Sequence, residues 1–492
     1  MSLQEKCPPM IFEDNFIERV NIAWRIEPAE QDPVNPLLES AYPWDSASPC
    51  VGHGTVLKDP VDGMYKAWVV SAEEVLDYNI YRPSNYEFRI CYFCSEDGVN
   101  WQRPELDINS YPGYEKTNIV FDYPSGGRST YASVFVDPDE NPEEPYEIFV
   151  YRDVAYKNPA LCVEGFGQQS AENPSKAREL YYGLYRYRSK DGLHWRGVEG
   201  PLEFKSGDTL YVHKNRDGGY VAHHKNGIPS FPGGYVPYDI GAGECRINLR
   251  KTSADGTEWS ESAPIMMPDW KDHQGDQIME TGYFPYGRGI IGLTSVYHAT
   301  SQTMDLQFAA SIDGIKWCRP SRRSCLPLAP LGDYGGGMIW PTRTLVETGD
   351  RLYVYYGATD GLHGDIYALT ANAYRPFSGA FCRASWEKGR MWAVVPASGG
   401  EIEARLTTPL CNCTGMELLI NAVTVNDGEI TAELLDNERK PIKGFTRESS
   451  IAFKGDKKFA SLKWKGMDTL PTKEVSIRFY LKKARLYGFE WK

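Results

Sequence analysis

At 492 residues the chain exceeds what one ordinary hydrophobic core fills, so two domains are expected. A formal charge of −13 leaves no basic stripe to meet phosphates or anionic lipid, which excludes nucleic acid and membrane surfaces as partners. Eleven cysteines, an odd number scattered without a framework, read as buried thiols and not as a disulfide scaffold or metal centre.

Residues 1–34 read as an N-terminal extension. No hydrophobic leader or membrane-length run is found in them. Localisation stays open between the cytoplasm and, where a leader has been removed ahead of MSLQEKCPPM, the periplasm or the exterior.

Residues 35–384 carry five alternating hairpins around Gly/Asp/Pro-rich loops: GTVLKDPVDGMYKAWVV (54–70), SVFVDPDENPEEPYEIFVY (133–151), LYVHKNRDGGYVAHH (210–224), YFPYGRGIIGLTSVY (283–297) and RTLVETGDRLYVYYG (343–357). Interleaved with them the chain writes Ser-x-Asp-Gly-x-x-Trp four times, as SEDGVNW (95–101), SKDGLHW (189–195), SADGTEW (253–259) and SIDGIKW (311–317). Asp-Gly makes a tight turn because Asp caps its own backbone and Gly accepts positive φ. The Trp then returns a large ring to the core, where burial between neighbouring units is expected. A strand–turn–strand unit repeated at this spacing is a propeller blade. The fifth hairpin is followed by a third strand, GDIYALTANAY (364–374), and no such turn, which suits the last blade at the closing joint.

From 385 to 492 the style changes to alternating segments such as MELLINAVTV and VSIRFYLKKARLYGFEW, separated by polar turns. That pattern predicts a β-sandwich braced on the propeller. The expected fold is all-β: a five-bladed β-propeller followed by a C-terminal β-sandwich.

Innermost propeller strands line the axial channel, so the residues opening each hairpin are the candidates for chemistry. Carboxylates stand there at Asp45, Asp208, Asp276 and Glu280. Trp44, His53, Trp340 and Arg343 accompany them, with Arg152 at the end of the second hairpin. Two acids across a scissile bond, one protonated and one ionised, are what glycoside hydrolysis requires. Asp276 and Glu280, four apart in an extended strand, are expected to share a face, raising the pKa of Glu280 as general acid. Asp45 is expected to serve as base or nucleophile, and Asp208 to orient the substrate. The other residues are expected to bind sugar around the same mouth.

The hairpins, turns and tail, with PWD (43–45), SVFVDP (133–138), GGGMIWPTR (335–343) and LYVYYGATDGLHG (352–364), resemble invertase- and arabinanase-type glycoside hydrolases, more narrowly family-32-like bacterial proteins. The resemblance implies a propeller hydrolase with acids converging on its axis and a carbohydrate substrate. Fructosidases of this kind carry W-M-N-D-P-N-G where PWD stands here, so a different glycoside is expected. A non-catalytic carbohydrate-binding propeller is the alternative, followed by a glycan phosphorylase, for which His223-His224-Lys225 is the one basic cluster, and a sialidase-like enzyme. This chemistry requires no cofactor. An acid-rich channel has room for a structural calcium, although no Asp-x-Asp-x-Asp loop is present. The sequence leaves the oligomeric state open.

Overall fold

The computed structural model describes residues 10–12, 16–74, 86–122, 128–153, 183–202, 209–229, 244–363, 378–413, 417–467 and 474–492. These residues are all-β. The named helical elements among them are two single 3-10 turns, Pro43–Asp45 and Arg447–Ser449.

All five hairpins form, and each grows by antiparallel pairing. Thr55–Lys58, Tyr65–Glu74, Tyr86–Ser95 and Ile119–Phe121 make the first four-stranded sheet. Arg128–Val136, Tyr146–Asp153, Gly183–Ser189 and Arg196–Leu202 make the second. Leu210–Lys214, Tyr220–Pro229, Glu244–Ser253 and Ala263–Met266 make the third. A nine-stranded sheet holds the last two hairpins. Its fourth unit comprises Asp276–Thr281, Phe284–Tyr286, Gly289–His298, Thr303–Ser311 and Trp317–Cys318. Its fifth comprises Met338–Thr348, Arg351–Thr359 and Gly379–Glu387, joined to the fourth by one parallel pair, Met304 with Met338. Central strands such as Gly289–His298 are buried along nine of their ten residues because both faces are covered by neighbouring sheets.

Hydrogen bonds link each unit to the next. The fifth meets the first where the Arg343 amide donates to Gly54 O, and the first meets the second where Val134 N–H donates to Thr55 Oγ1. Val212 N–H donates to Ser133 Oγ, joining second and third. The Asn248 amide donates to Met279 O between third and fourth, and Met304 N–H to Gly337 O between fourth and fifth.

The repeated turns latch neighbouring units together. In the first, Asp97 Oδ1 accepts from the amides of Val99 and Asn100, while Gly98 adopts φ +73°. Tyr355 of the fifth unit donates its hydroxyl to Gly98 O at 2.8 Å. Trp68 of the first unit donates to Gly192 O at 2.7 Å, and Arg186 of the second to Asp255 O at 2.8 Å. The turn Trp residues differ from expectation in depth: Trp101 is buried, whereas Trp195, Trp259 and Trp317 are half-buried at the rim. Trp317 still packs between the third and fourth units, against Val221, Tyr283 and Ile290.

The segment 364–374, read as a third strand, lies outside the described residues. The fifth unit takes Gly379–Glu387 as its third strand, which runs across residue 384, and Glu30–Gln31 as its outermost one. The N-terminal extension is therefore woven into the fold. Its strands Glu18–Val20 and Ile22–Ile26 pair with Ala404–Thr407 and Trp392–Pro396 in an eight-stranded sheet. Two strands of 18 residues, Leu418–Leu435 and Glu474–Trp491, form the spine of that sheet. Register shifts between Asn421 and Ala422 and between Thr424 and Glu429 interrupt their pairing. The alternating apolar residues of this region, among them Leu406, Ile420, Leu434, Ile477 and Phe479, gather into one core.

Candidate functional site

The chain approaches the axis of the ring through Cys50-Val-Gly-His-Gly54. Gly52 has φ +69°, and a Cβ there would meet Trp340 O at 2.5 Å. Gly54 lies as tightly on Trp68 O, at 2.2 Å from an ideal Cβ. Only glycine permits this passage between two units, and it throws His53 into a left-handed conformation, φ 52°. Tyr131 of the second unit is also left-handed, at φ 60°, where a bulge separates Thr130 from Ser133.

These two turns bring side chains of all five units together. The His53 ring lies 4.5 Å from that of Tyr131 and 4.5 Å from that of Trp340. His53 Nδ1 is 3.2 Å from Tyr211 Oη of the third unit and 3.6 Å from Glu280 Oε2 of the fourth. Glu280 is 3% exposed. Its Oε1 accepts from Ser295 Oγ at 3.0 Å, while Oε2 is buried with no hydrogen-bond partner. Burial, reinforced by the Glu280 charge, holds the Tyr211 hydroxyl far above its ordinary pKa, so it stays a donor. That hydroxyl points to Pro341 O at 3.5 Å. A carboxyl with one oxygen anchored and the other facing an imidazole is arranged to hold or pass a proton.

Of the residues singled out in the sequence, the structure joins Glu280, His53 and Trp340. Asp276 goes elsewhere. A register shift between Ile278 and Glu280 inserts an extra residue, so Asp276 pairs with His298 but Glu280 with Ser295. Those partners are three apart in one strand, which puts the two acids on opposite faces, against the shared face expected. Asp276 Oδ1 lies 2.8 Å from His298 Nδ1, and His298 Nε2 lies 3.3 Å from Asp305 Oδ1. Burial would lower the His298 pKa, but the two carboxylates outweigh it and carry it up to about 10. Asp276 is thus one arm of a fixed ion triad.

Asp45 also departs from expectation. It is 1% exposed; Oδ1 accepts from the amides of Ala41 and Tyr42, and Oδ2 lies 3.1 Å from Arg103 Nη2. None of these partners belongs to the His53 cluster: the carboxylate closes the Pro43–Asp45 turn. Trp44, stacked on Tyr42 at 4.6 Å and donating to Asn118 Oδ1, is core and not a sugar platform. Arg343 donates Nε to Thr55 Oγ1 at 2.8 Å and a second N–H to Val134 O. Asp208 lies outside the described residues, and of Arg152 only the backbone, in Tyr146–Asp153, is described. His223 and His224 are buried, with His223 Nδ1 2.8 Å from Thr281 O and His224 Nε2 3.1 Å from Ser262 Oγ. Burial pulls both down to about 4, so they are neutral and do not form the basic cluster the sequence suggested. Tyr131, Tyr211 and Ser295 were not singled out; alternation along the hairpins SVFVDP and LYVHK is the signal that points Tyr211 to the axis.

Among the described residues no cluster of three or more His, Cys, Asp or Glu is placed to hold a metal ion. All nine described cysteines are free thiols. No helix among the described residues is long and apolar enough to cross a membrane.

No family model matches the chain, and no curated protein matches it. Solved structures do. An N-acetylgalactosamine deacetylase from F. plautii, in complex with blood group B trisaccharide, is 15% identical with a TM-score of 0.46, over 75% of this chain and 96% of that one. The β-1,2-mannobiose phosphorylase of Listeria innocua is 13% identical with a TM-score of 0.45, over 76% and 98%. A thermostable family-43 glycoside hydrolase is 13% identical with a TM-score of 0.40, over 69% and 90%.

Proposed function

We propose that the chain is a carbohydrate-active enzyme of the glycoside hydrolase kind, a five-bladed β-propeller with a C-terminal β-sandwich, working on an oligo- or polysaccharide at its axis. The observation that carries the reading is the unpartnered Glu280 Oε2, held 3.6 Å from His53 Nδ1 inside a collar of Tyr131, Tyr211 and Trp340. Burying a carboxylate oxygen without a partner costs free energy that a purely structural residue would avoid. The collar, each ring of it under 10% exposed, keeps bulk water from that carboxyl. Glu280 acts as general acid, with His53 adjusting its proton.

Asp45 is committed to its turn and is not the second acid. Asp208 takes that role in this reading on its place in the sequence, just ahead of the third hairpin. The test is a panel of oligosaccharides, incubated with and without inorganic phosphate. Hydrolysis by the wild type, lost in Glu280→Gln and in Asp208→Asn, supports the proposal. Products that appear only with phosphate would make it a phosphorylase. Sugar binding with no turnover on any substrate would make it a lectin-like protein.

A further inference from the structure

Arg343 borders a cavity of about 320 Å³, lined also by Phe135, His213, Lys214, Tyr283 and Phe284 among others. Arg343 is 6% exposed, and among the described residues no carboxylate pairs with it. Its Nε and one Nη serve Thr55 and Val134. Its guanidinium lies 4.4 Å over the Phe135 ring. His213 is 3% exposed, and its Nε2 is buried with no partner. Burial first, and the Arg343 charge second, keep His213 neutral. Lys214 adds a half-buried ammonium 4.6 Å over Tyr220 and 3.7 Å from Glu140. The one carboxylate among the described lining residues, Glu347, is already bound to Lys388.

A buried cation without a counter-ion is among the costliest arrangements a fold carries. Here it stands with an imidazole whose Nε2 has no hydrogen-bond partner, round a space large enough for a single sugar ring and walled by aromatic faces. In a chain of net charge −13 this positive spot is local and built in. We propose that the cavity is a binding site for a monosaccharide-sized ligand bearing one oxyanion group, carboxylate or phosphate, seated on Arg343 and His213 with its body against Phe135 and Phe284. Arg343 supplies the charge and His213 a neutral N–H donor, so the two together recognise an acidic group and not a hydroxyl. The site is separate from Glu280 and stands whether or not that residue is catalytic.

The full chain is titrated by calorimetry, in low salt, with glucuronate, glucose 6-phosphate, inorganic phosphate and glucose. The acidic sugars should bind at least about tenfold tighter than glucose, the advantage expected of one charge-assisted hydrogen bond. Preference between the first two identifies the oxyanion. Arg343→Met removes the cation but risks the Thr55 bridge, so His213→Leu is the decisive variant: it should keep the melting temperature within a few degrees and lose about tenfold in affinity for the preferred acid. Equal binding of glucose and the acidic sugars, no binding of any, or undiminished affinity in His213→Leu would overturn the proposal. Inorganic phosphate binding as tightly as glucose 6-phosphate would overturn the seat assigned to the aromatic walls.

Discussion

Replacing Gly98 by alanine would place a methyl 2.5 Å from Tyr355 Oη on the adjoining unit, at a backbone φ of +73°. Two costs add. Holding an alanine in the left-handed region costs about 1–2 kcal/mol. Moving the Tyr355 hydroxyl away breaks its 2.8 Å bond to Gly98 O, about 0.5–1.5 kcal/mol more. Gly63 is the control: its φ is +76°, but nothing lies within 4 Å of its Cβ position, so Gly63→Ala carries only the first cost. Urea unfolding of the full chain should therefore show Gly98→Ala destabilising by about 2–3 kcal/mol, roughly 1 kcal/mol beyond Gly63→Ala. Tyr355→Phe removes both the bond and the obstructing oxygen, so the double variant should be less destabilised than the sum of the two singles. Equal losses at positions 98 and 63, together with additive behaviour at 98 and 355, would refute the latch between first and fifth units.

Glu280→Gln, which can keep the Ser295 contact, should cut turnover about 10²–10⁴-fold while glycan affinity changes little; kinetics on the first cleaved substrate decide this, and retained activity would clear Glu280 of the role. In the second turn, burial alone would raise the Asp191 pKa, but the amides of His194 and Leu193, with the His194 ring and Ser189, pull it to about 2. That depressed value gives stability present above about pH 4 and lost as pH falls toward 2, so Asp191→Ala should flatten the acid limb of a stability–pH curve. His298, raised to about 10, works in the opposite direction: its contribution is full below about pH 6.5 and fades as pH rises to 10. His298→Gln should lower the melting temperature at pH 6 more than at pH 10, and a uniform loss would contradict the ion triad.

The turn motif was legible because each copy is locally determined: Asp caps its own backbone, Gly takes positive φ, and no distant residue is needed to form it. The hairpins were legible for the same reason. Strand alternation failed at Asp276 and Glu280 because a bulge is a property of the pairing, and the QIME sequence by itself does not announce it. Asp45 misled because a buried carboxylate closing a short turn and one awaiting substrate look alike in PWD; only its bonds to Ala41, Tyr42 and Arg103 separate them. His53 was flagged by its position, but its neighbours Tyr131 and Tyr211 come from other units, and their meeting depends on how the ring closes. The N-terminal strands were missed since their partners lie more than 350 positions away in sequence.

That separation governs the order in which the protein can be finished. Ile22–Ile26 and Glu30–Gln31 leave a ribosome more than 350 residues ahead of their partners Trp392–Pro396 and Gly379–Glu387. At roughly 5–20 residues per second the wait is on the order of 20–70 s. Throughout it the N-terminal strands have no native partner, and the ring, even with its first four units complete, lacks its last hairpin. Newly made chain thus carries unpaired strands open to wrong pairing until Gly379–Glu387 and Trp392–Pro396 have been made.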